Sequence, residues 1–487
     1  MVTEIGSSSA ADVSGDWVND FKAMFVSPKQ QFSIGCLISV PDHLRKLDEQ
    51  AFTPLLISIG PIHRSITKLQ TMNRCKLQFC ERFIQRANIN WEELLYAVKE
   101  KEKEIRSYYV EDIVSSISIK DFVKMIVLDG MFILEYFLRH SNPHLERNDS
   151  MIAEWMHRIL KFDLVILGNQ LPFFVLDMLF KQAKFPAGLG IRPLNLKQLA
   201  FAFFECYDFQ GPGVLPLDGH VENLTDLVRL FYLRGISTNV RPEGDKLSYS
   251  ATQLHEAGVE LKGVEWDVEG GWFVDKRFWG FESRRRSREF VNGSRRCCLD
   301  IRFLLPEALV KLWGVGLDEE EEFNRLRRHF LEIRFHNGVL EIPCIKLNGE
   351  RIRLIRNIIA LEQSHYVGHT YVTDFFVFLD FLVDNSKDVD LLCDKGILVN
   401  YLGDSNTAAS AVNSFSTDML LDYMNPEYSK ICKDLNAFCK KPWHRWRATL
   451  WRQYFCTPWR AASTSAAILL LLLTGIQTVC ALWSTNW

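Results

Sequence analysis

The chain has 487 residues, 47% of them hydrophobic and 24% charged, with 57 basic and 60 acidic side chains and a formal net charge of −3. That composition fills a core and excludes collagen, coiled coil and general disorder, and the balanced charge gives no electrostatic footprint for nucleic acid. The length corresponds to roughly two to four units at about 150 residues each, or to one large domain with appendages.

Residues 1–30, rich in Ser, Ala and Asp, have no basic segment followed by an apolar one, so no secretory signal is read there and a disordered tail is expected. The twelve cysteines show no Cys-x-x-Cys and no paired rhythm, which favours free thiols in a reducing compartment. Residues 31–430 are expected to form one mainly helical body. Within it, Met72 to Arg86 reads as a helix, and a charged helical stretch follows Trp91. Asp121 to His140 places Phe122, Met125, Ile126, Phe132, Ile133 and Phe137 at helical spacing, so it should bury one wide face. Ile152 to Leu167 repeats the pattern until Asn169-Gln170-Leu171-Pro172 breaks it, and Phe173 to Lys184 reads as the next helix.

Residues 263–330 read as an insertion. It holds an Arg cluster (Arg284, Arg285, Arg286, Arg288) and the acidic run Asp318 to Glu322, which suit a solvated surface. An echo spans it: Ala257 to Leu261 precedes Leu299 to Phe303, and Trp313 to Leu317 precedes Leu331 to Phe335. A local duplication and coincidence both fit. Over 331–356 the period changes to two. Leu331 to Phe335, Val339 to Leu347 and Arg351 to Ile355 are separated by Asn337-Gly338 and Asn348-Gly349, which predicts a three-stranded antiparallel β-meander. Helices are expected from Asn357, over Thr370 to Val383, Asp388 to Leu398 and Thr407 to Met424.

Residues 431–460 combine Lys433, Lys440, Lys441, Arg445, Arg447, Arg452 and Arg460 with Trp443, Trp446, Trp451 and Trp459. Residues 461–483 carry no charge. Together they predict one C-terminal transmembrane helix behind a basic aromatic flank, with a short tail at 484–487 and the body on the cytosolic side. The membrane is thus one expected partner. Sequons at Asn148, Asn223 and Asn292 offer a check on that topology.

No P-loop, G-x-G-x-x-G, H-E-x-x-H or G-x-S-x-G occurs. Glu362, His365 and His369 could share a helix face as metal ligands, but Gly368 intervenes and a satisfied histidine pair is the plainer reading. Gly403-Asp404-Ser405 resembles a lipase nucleophile block, although a turn or helix cap at Asp404 accounts for it better. Asp129 and Glu135 lie in an apolar helix, where carboxylates are costly unless paired.

Seven blocks in fixed order resemble those of the plant DUF247 family, also called UPF0481. They are Ile57 to His63, Leu128 to Glu135, Asn169 to Leu176, Ser250 to Val259, Gly338 to Pro343, Asn357 to Gln363 and Lys387 to Leu392. The resemblance covers roughly Ile34 to Leu482 and departs from the pattern between Lys262 and Phe330. It implies a plant protein of mainly helical fold with a C-terminal membrane anchor and no established enzyme activity. Some similar proteins are implicated in grass pollen self-incompatibility, which implies recognition between proteins. The function expected is therefore a membrane-anchored interaction or recognition module, meeting an unknown protein partner as homo- or hetero-oligomer. No catalytic, cofactor or metal residue is assigned, and no small-molecule ligand is inferred. The alternative is an enzyme with an unrecognised site near His63, Asp129 and Glu135.

Overall fold

In the computed structural model, residues 38–142, 152–185, 195–207, 219–233, 245–264, 330–366, 368–417, 424–443 and 458–484 are described, together with 145, 446 and 449. The tail at 1–30, nearly all of the 263–330 insertion with its echo, and the sequons at Asn148 and Asn292 lie outside the described residues.

The first helices are α1 (Asp42–Leu47), α2 (Asn73–Ala87), α3 (Trp91–Glu100), α4 (Glu102–Arg106), α5 (Glu111–Ser115) and α6 (Ile119–Ser141). The Ser118 hydroxyl accepts the Asp121 N–H at 3.1 Å and starts α6, with Arg139 and His140 in its last turn, the sign the helix dipole favours. From Met131 to Arg139 every residue of α6 is buried, so its second half is a central helix and not an amphipathic surface one. Helices α2 and α3 pack on it, as do α8 (Phe173–Lys181) and α9 (Leu196–Phe203), while α7 (Glu154–Asp163) precedes them in the chain. Phe79, Phe132, Tyr136, Phe137 and Phe203 form a continuous aromatic stack in this core. Each such side chain contributes roughly 1.5–3 kcal/mol by leaving water.

The remaining elements are α10 (Leu224–Tyr232), α11 (Ala251–Glu256), β1 (Glu260–Val264), β2 (Arg334–His336), β3 (Val339–Pro343), β4 (Ile345–Leu347), α12 (Gly349–His365), α13 (Tyr371–Phe381), α14 (Ser386–Asp394), β5 (Leu398–Asn400), α15 (Ser405–Asn413), α16 (Pro426–Cys439) and α17 (Pro458–Ser484). The architecture is mainly helical with two small sheets. One core cluster runs from Ile38 to Leu435 and joins both ends of the body.

The expected β-meander is corrected in part. Its first hairpin exists: β2 pairs antiparallel with β3, and Asn337 (φ 51°) and Gly338 (φ 82°) form the turn, both with the positive φ that a type I′ turn demands. The other two pairings are parallel, β1 with β3 and β4 with β5. The third expected strand, Arg351 to Ile355, is helix. Asn348-Gly349 does not turn a hairpin, because the Asn348 side chain accepts the Arg351 N–H at 2.8 Å and caps α12.

The transmembrane helix expected over 461–483 is also corrected. Helix α17 forms there, yet among the described residues no helix is long and apolar enough to cross a membrane. Ser463 and Thr464 stand early in the helix and Thr474, Gln477 and Thr478 late, leaving Ala466–Leu473 as its longest stretch without a polar side chain.

Candidate functional site

Asp129 and Asn169 of the ordered blocks, with Asp163 of α7, converge on one irregular segment, 54–61, which threads through the body. Ile57 to Pro61 are buried without belonging to a sheet, so their backbone groups need side-chain partners. Asp163, at the end of α7, supplies three bonds: its Oδ1 accepts the Leu55 N–H at 2.9 Å, and its Oδ2 accepts those of Leu56 at 2.7 Å and Ile57 at 3.0 Å. Asn169 Oδ1 accepts the Ile59 N–H at 2.6 Å, and its amide donates to Ile57 O at 3.0 Å. Asp129 Oδ2 accepts the Gly60 N–H at 2.8 Å, and Asp129 Oδ1 pairs with Lys76 Nζ at 2.5 Å. Gln170 donates to Leu164 O at 2.6 Å and Ile166 O at 3.0 Å, and accepts the Leu224 N–H at 3.0 Å. Gly60 has φ +70°, and a Cβ there would stand 2.8 Å from Gln170 O, so the chain passes here only as glycine.

Further blocks clasp each other in the same way. Asp388 Oδ1 accepts from Ser250 Oγ at 2.9 Å and from Thr252 N at 2.8 Å, while its Oδ2 accepts from Asp384 N at 3.1 Å. Burial pushes the Asp388 carboxyl up, and these bonds overcome it, holding it below the usual range. Asn357 accepts the Leu167 N–H at 2.9 Å and donates to Ala51 O at 2.9 Å. Glu362 accepts from Arg229 Nε at 2.8 Å and Thr373 N at 2.8 Å, and Arg229 also meets Asp226 at 3.3 Å.

The three residues of the enzyme alternative are thereby separated in role. Asp129 belongs to Lys76 and Gly60, and burial raises its carboxyl while Lys76 opposes that rise. Glu135 binds Arg139 Nε at 2.8 Å and Arg86 Nη2 at 2.9 Å. Six positions apart on α6, the two carboxylates are separated by about 9 Å of helix rise. His63 lies instead beside Gly168 and Arg45. Among the described residues no hydrogen bond or ion pair joins any two of the three.

Glu362 is committed to Arg229 and the start of α13, α12 ends at His365, and His369 follows in the loop. Among the described residues no group of three or more His, Cys, Asp or Glu could hold a metal ion. Asp404 caps α15, accepting from Asn406 N at 2.7 Å and Thr407 N at 3.2 Å, and Ser405 Oγ donates to Asp390 at 2.5 Å, so that triplet is a helix start. Asn223 is fully buried and caps α10 through the Asp226 N–H at 2.9 Å, so its sequon is closed to a glycan in the folded body. A polar cavity of about 390 Å³ is lined by Ser248, Tyr249, Asp380, Asp384, Asn413 and Ser416, where burial lifts Asp380 to about 6.

Comparison with known proteins accounts for the ordered blocks. The family DUF247, described as "Plant protein of unknown function", matches residues 37–303 and 305–473. The chain belongs to the DUF247 family. Within that match the join at 304 falls inside the 263–330 stretch. Among curated relatives, UPF0481 protein At3g47200 of Arabidopsis thaliana is 28% identical over 466 residues, covering 92% of this chain and 86% of that protein. Putative UPF0481 protein At3g02645 of the same plant is 20% identical over 482 residues, covering 91% and 89%. No solved structure matches. For this DUF247 chain, the residues that sequence reasoning missed are Asp163, Asp388 and Arg229. Each stands in a helix that carries other charged residues, Glu154, Arg158 and Lys161 on α7, Asp226 on α10, and Lys387, Asp390 and Asp394 on α14, so no local signal marked it as a buried partner.

Proposed function

We propose that this DUF247 protein is a protein-recognition module whose block residues hold the body together and whose outer surface meets the partner. The observation that carries this reading is the division of labour in the polar and aromatic residues. Asp129, Glu135, Asn169, Gln170, Asn357, Glu362 and Asp388 are spent on internal bonds. Large aromatics stand outside: Trp155 is 66% exposed and Tyr401 61%. On α7, Trp155 lies one turn before the exposed Arg158, so both share a helix face. Trp, Tyr and Arg are the side chains most often found carrying binding energy at protein interfaces, Trp and Tyr because they bury much area at low entropy cost. The expectation of an interaction partner, homo- or hetero-oligomeric, is consistent with that surface.

The test is proximity labelling in plant cells with the full chain and with the Trp155→Ala/Tyr401→Ala variant, beside sedimentation of the purified full chain. Loss of specific neighbours in the variant, or its dissociation to monomers at unchanged melting temperature, supports the reading. An identical set of neighbours together with a strictly monomeric wild type refutes it.

A further inference from the structure

The polar cavity of about 390 Å³ is lined by acids that no cation of its own wall answers. It lies between the end of α13, the end of α15 and the segment leading into α11. Asp380, Phe381 and Asp384 line it from the first side, Asn413 and Ser416 from the second, and Tyr249 from the third. It opens to solvent where the lining residues Ser248 and Asp384 are exposed. No Lys, Arg or His lines it, and no cationic side chain acts on Asp380. Burial raises the Asp380 carboxyl, the Ser416 hydroxyl opposes that rise and the nearby Asp384 adds to it. The result is a group at about 6, ionised for the most part at neutral pH.

The helices deepen the negative field. Helices α13 and α15 both bring their C-terminal turns to this cavity, the negative end of the helix dipole, and neither has a basic residue in its last turn. At the end of α6, Arg139 and His140 supply that positive charge from within the chain. At the end of α13 an aspartate stands in its place. The two helix starts beside the cavity, α11 and α14, do not offset this. Their N–H groups are already served by the Asp388 carboxylate, which accepts from Thr252 N at 2.8 Å and Asn385 N at 3.2 Å.

From this arrangement we infer that the cavity binds one organic cation, a primary alkylammonium group. The three N–H donors of an ammonium match the carboxylates of Asp380 and Asp384 and the hydroxyl of Ser416. Its alkyl stem lies against Tyr249 and Phe381, half-buried rings packed on the apolar core. A volume of about 390 Å³ falls among sites for small organic molecules, roughly 300–1,000 Å³. A bare divalent cation fits less well, because it takes about six or more oxygen ligands, and among the described residues no group of three or more His, Cys, Asp or Glu could hold one. The ammonium comes from a free amine or from a partner's lysine side chain. Only the second source deepens the recognition reading, which is tested separately at Trp155 and Tyr401, so the two fail independently.

The experiment is saturation-transfer NMR on the full chain at neutral pH. The probes are n-butylammonium and Nα-acetyl-lysine N-methylamide, with n-butanol as the neutral control at equal ionic strength. The inference predicts saturable binding of butylammonium and none of butanol. Binding of the lysine amide as well assigns the site to a partner's side chain, and its exclusion assigns it to a free amine. Asp380→Asn combined with Asp384→Asn should weaken butylammonium binding about tenfold or more at an unchanged melting temperature. Should that variant not fold, Ser248→Lys gives a second route. Ser248 is exposed and its backbone N–H makes the bond to Asn436, so the new lysine stands at the mouth as a competing cation and should weaken binding likewise. No saturable binding of either ammonium probe, equal binding of butanol, or binding unchanged in the variants overturns the site.

Discussion

Asp163 carries more of the fold than any residue of the blocks beside it, because one carboxylate satisfies three successive backbone donors of a buried segment. Asp163→Ala leaves those donors unpaired and should cost on the order of 3 kcal/mol or more, measured by chemical denaturation. Gly60→Ala acts on the same segment by a different route. At φ +70° and 2.8 Å from Gln170 O, the added methyl forces strain and a clash, and a loss of about 1–3 kcal/mol is expected. A third residue sets a pH response. Burial lifts Asp374 to about 7, assisted by Glu362 and opposed by the bonds from Asn425 N–H and the Thr370 hydroxyl. A raised carboxylate pKa means the folded state holds a proton that the unfolded state has released. Asp374 therefore detracts from stability progressively as pH rises from about 4 to about 7, and not further above. His63, lowered to about 4, acts in the opposite direction between about 6.5 and 4. The two are separated by difference: Asp374→Asn should lose less stability than wild type between pH 5 and pH 7.5 in paired denaturation curves.

At the scale of elements, the legible and illegible parts differ by what sets them. Periodicity revealed α6, α8 and the β2–β3 hairpin, since apolar spacing and an Asn-Gly turn are local signals. It misread Asn348-Gly349, because Asn serves equally as a turn residue and as a helix cap, and only the Arg351 N–H tells which. The parallel pairings of β1 with β3 and β4 with β5 had no local signal at all, as they join residues about 50 to 80 positions apart in the chain. The candidate site was half legible. Asp129 and Glu135 could be singled out as carboxylates in an apolar helix and His63 through its block, whereas the partners Lys76 and Arg86 are visible only once the helices meet. A direct check on the cap is Asn348→Ala, which should destabilise by about 1 kcal/mol, while Asn337→Ala, at φ 51°, should loosen the β2–β3 hairpin by a similar amount. Local hydrogen exchange at α12 and at β2–β3 separates the two effects.

For the whole molecule, the blocks that mark the family are a set of clasps. Residues 57–60 bind 129, 163 and 169; residue 357 binds 51 and 167; residue 388 binds 250 and 252. Together they tie the first helices to the last ones across a shared apolar core. Removing one partner leaves the other buried and unpaired, so these positions depend on one another, while Trp155 and Tyr401 stand outside the clasps. Hydrogen exchange with mass-spectrometric readout of the segment Leu55–Gly60 tests the clasp architecture most directly. Though it is irregular in conformation, the segment should exchange as slowly as the centre of α6, and Asp163→Ala should release it. Fast exchange of this segment in the wild type, with α6 still protected, would contradict the account.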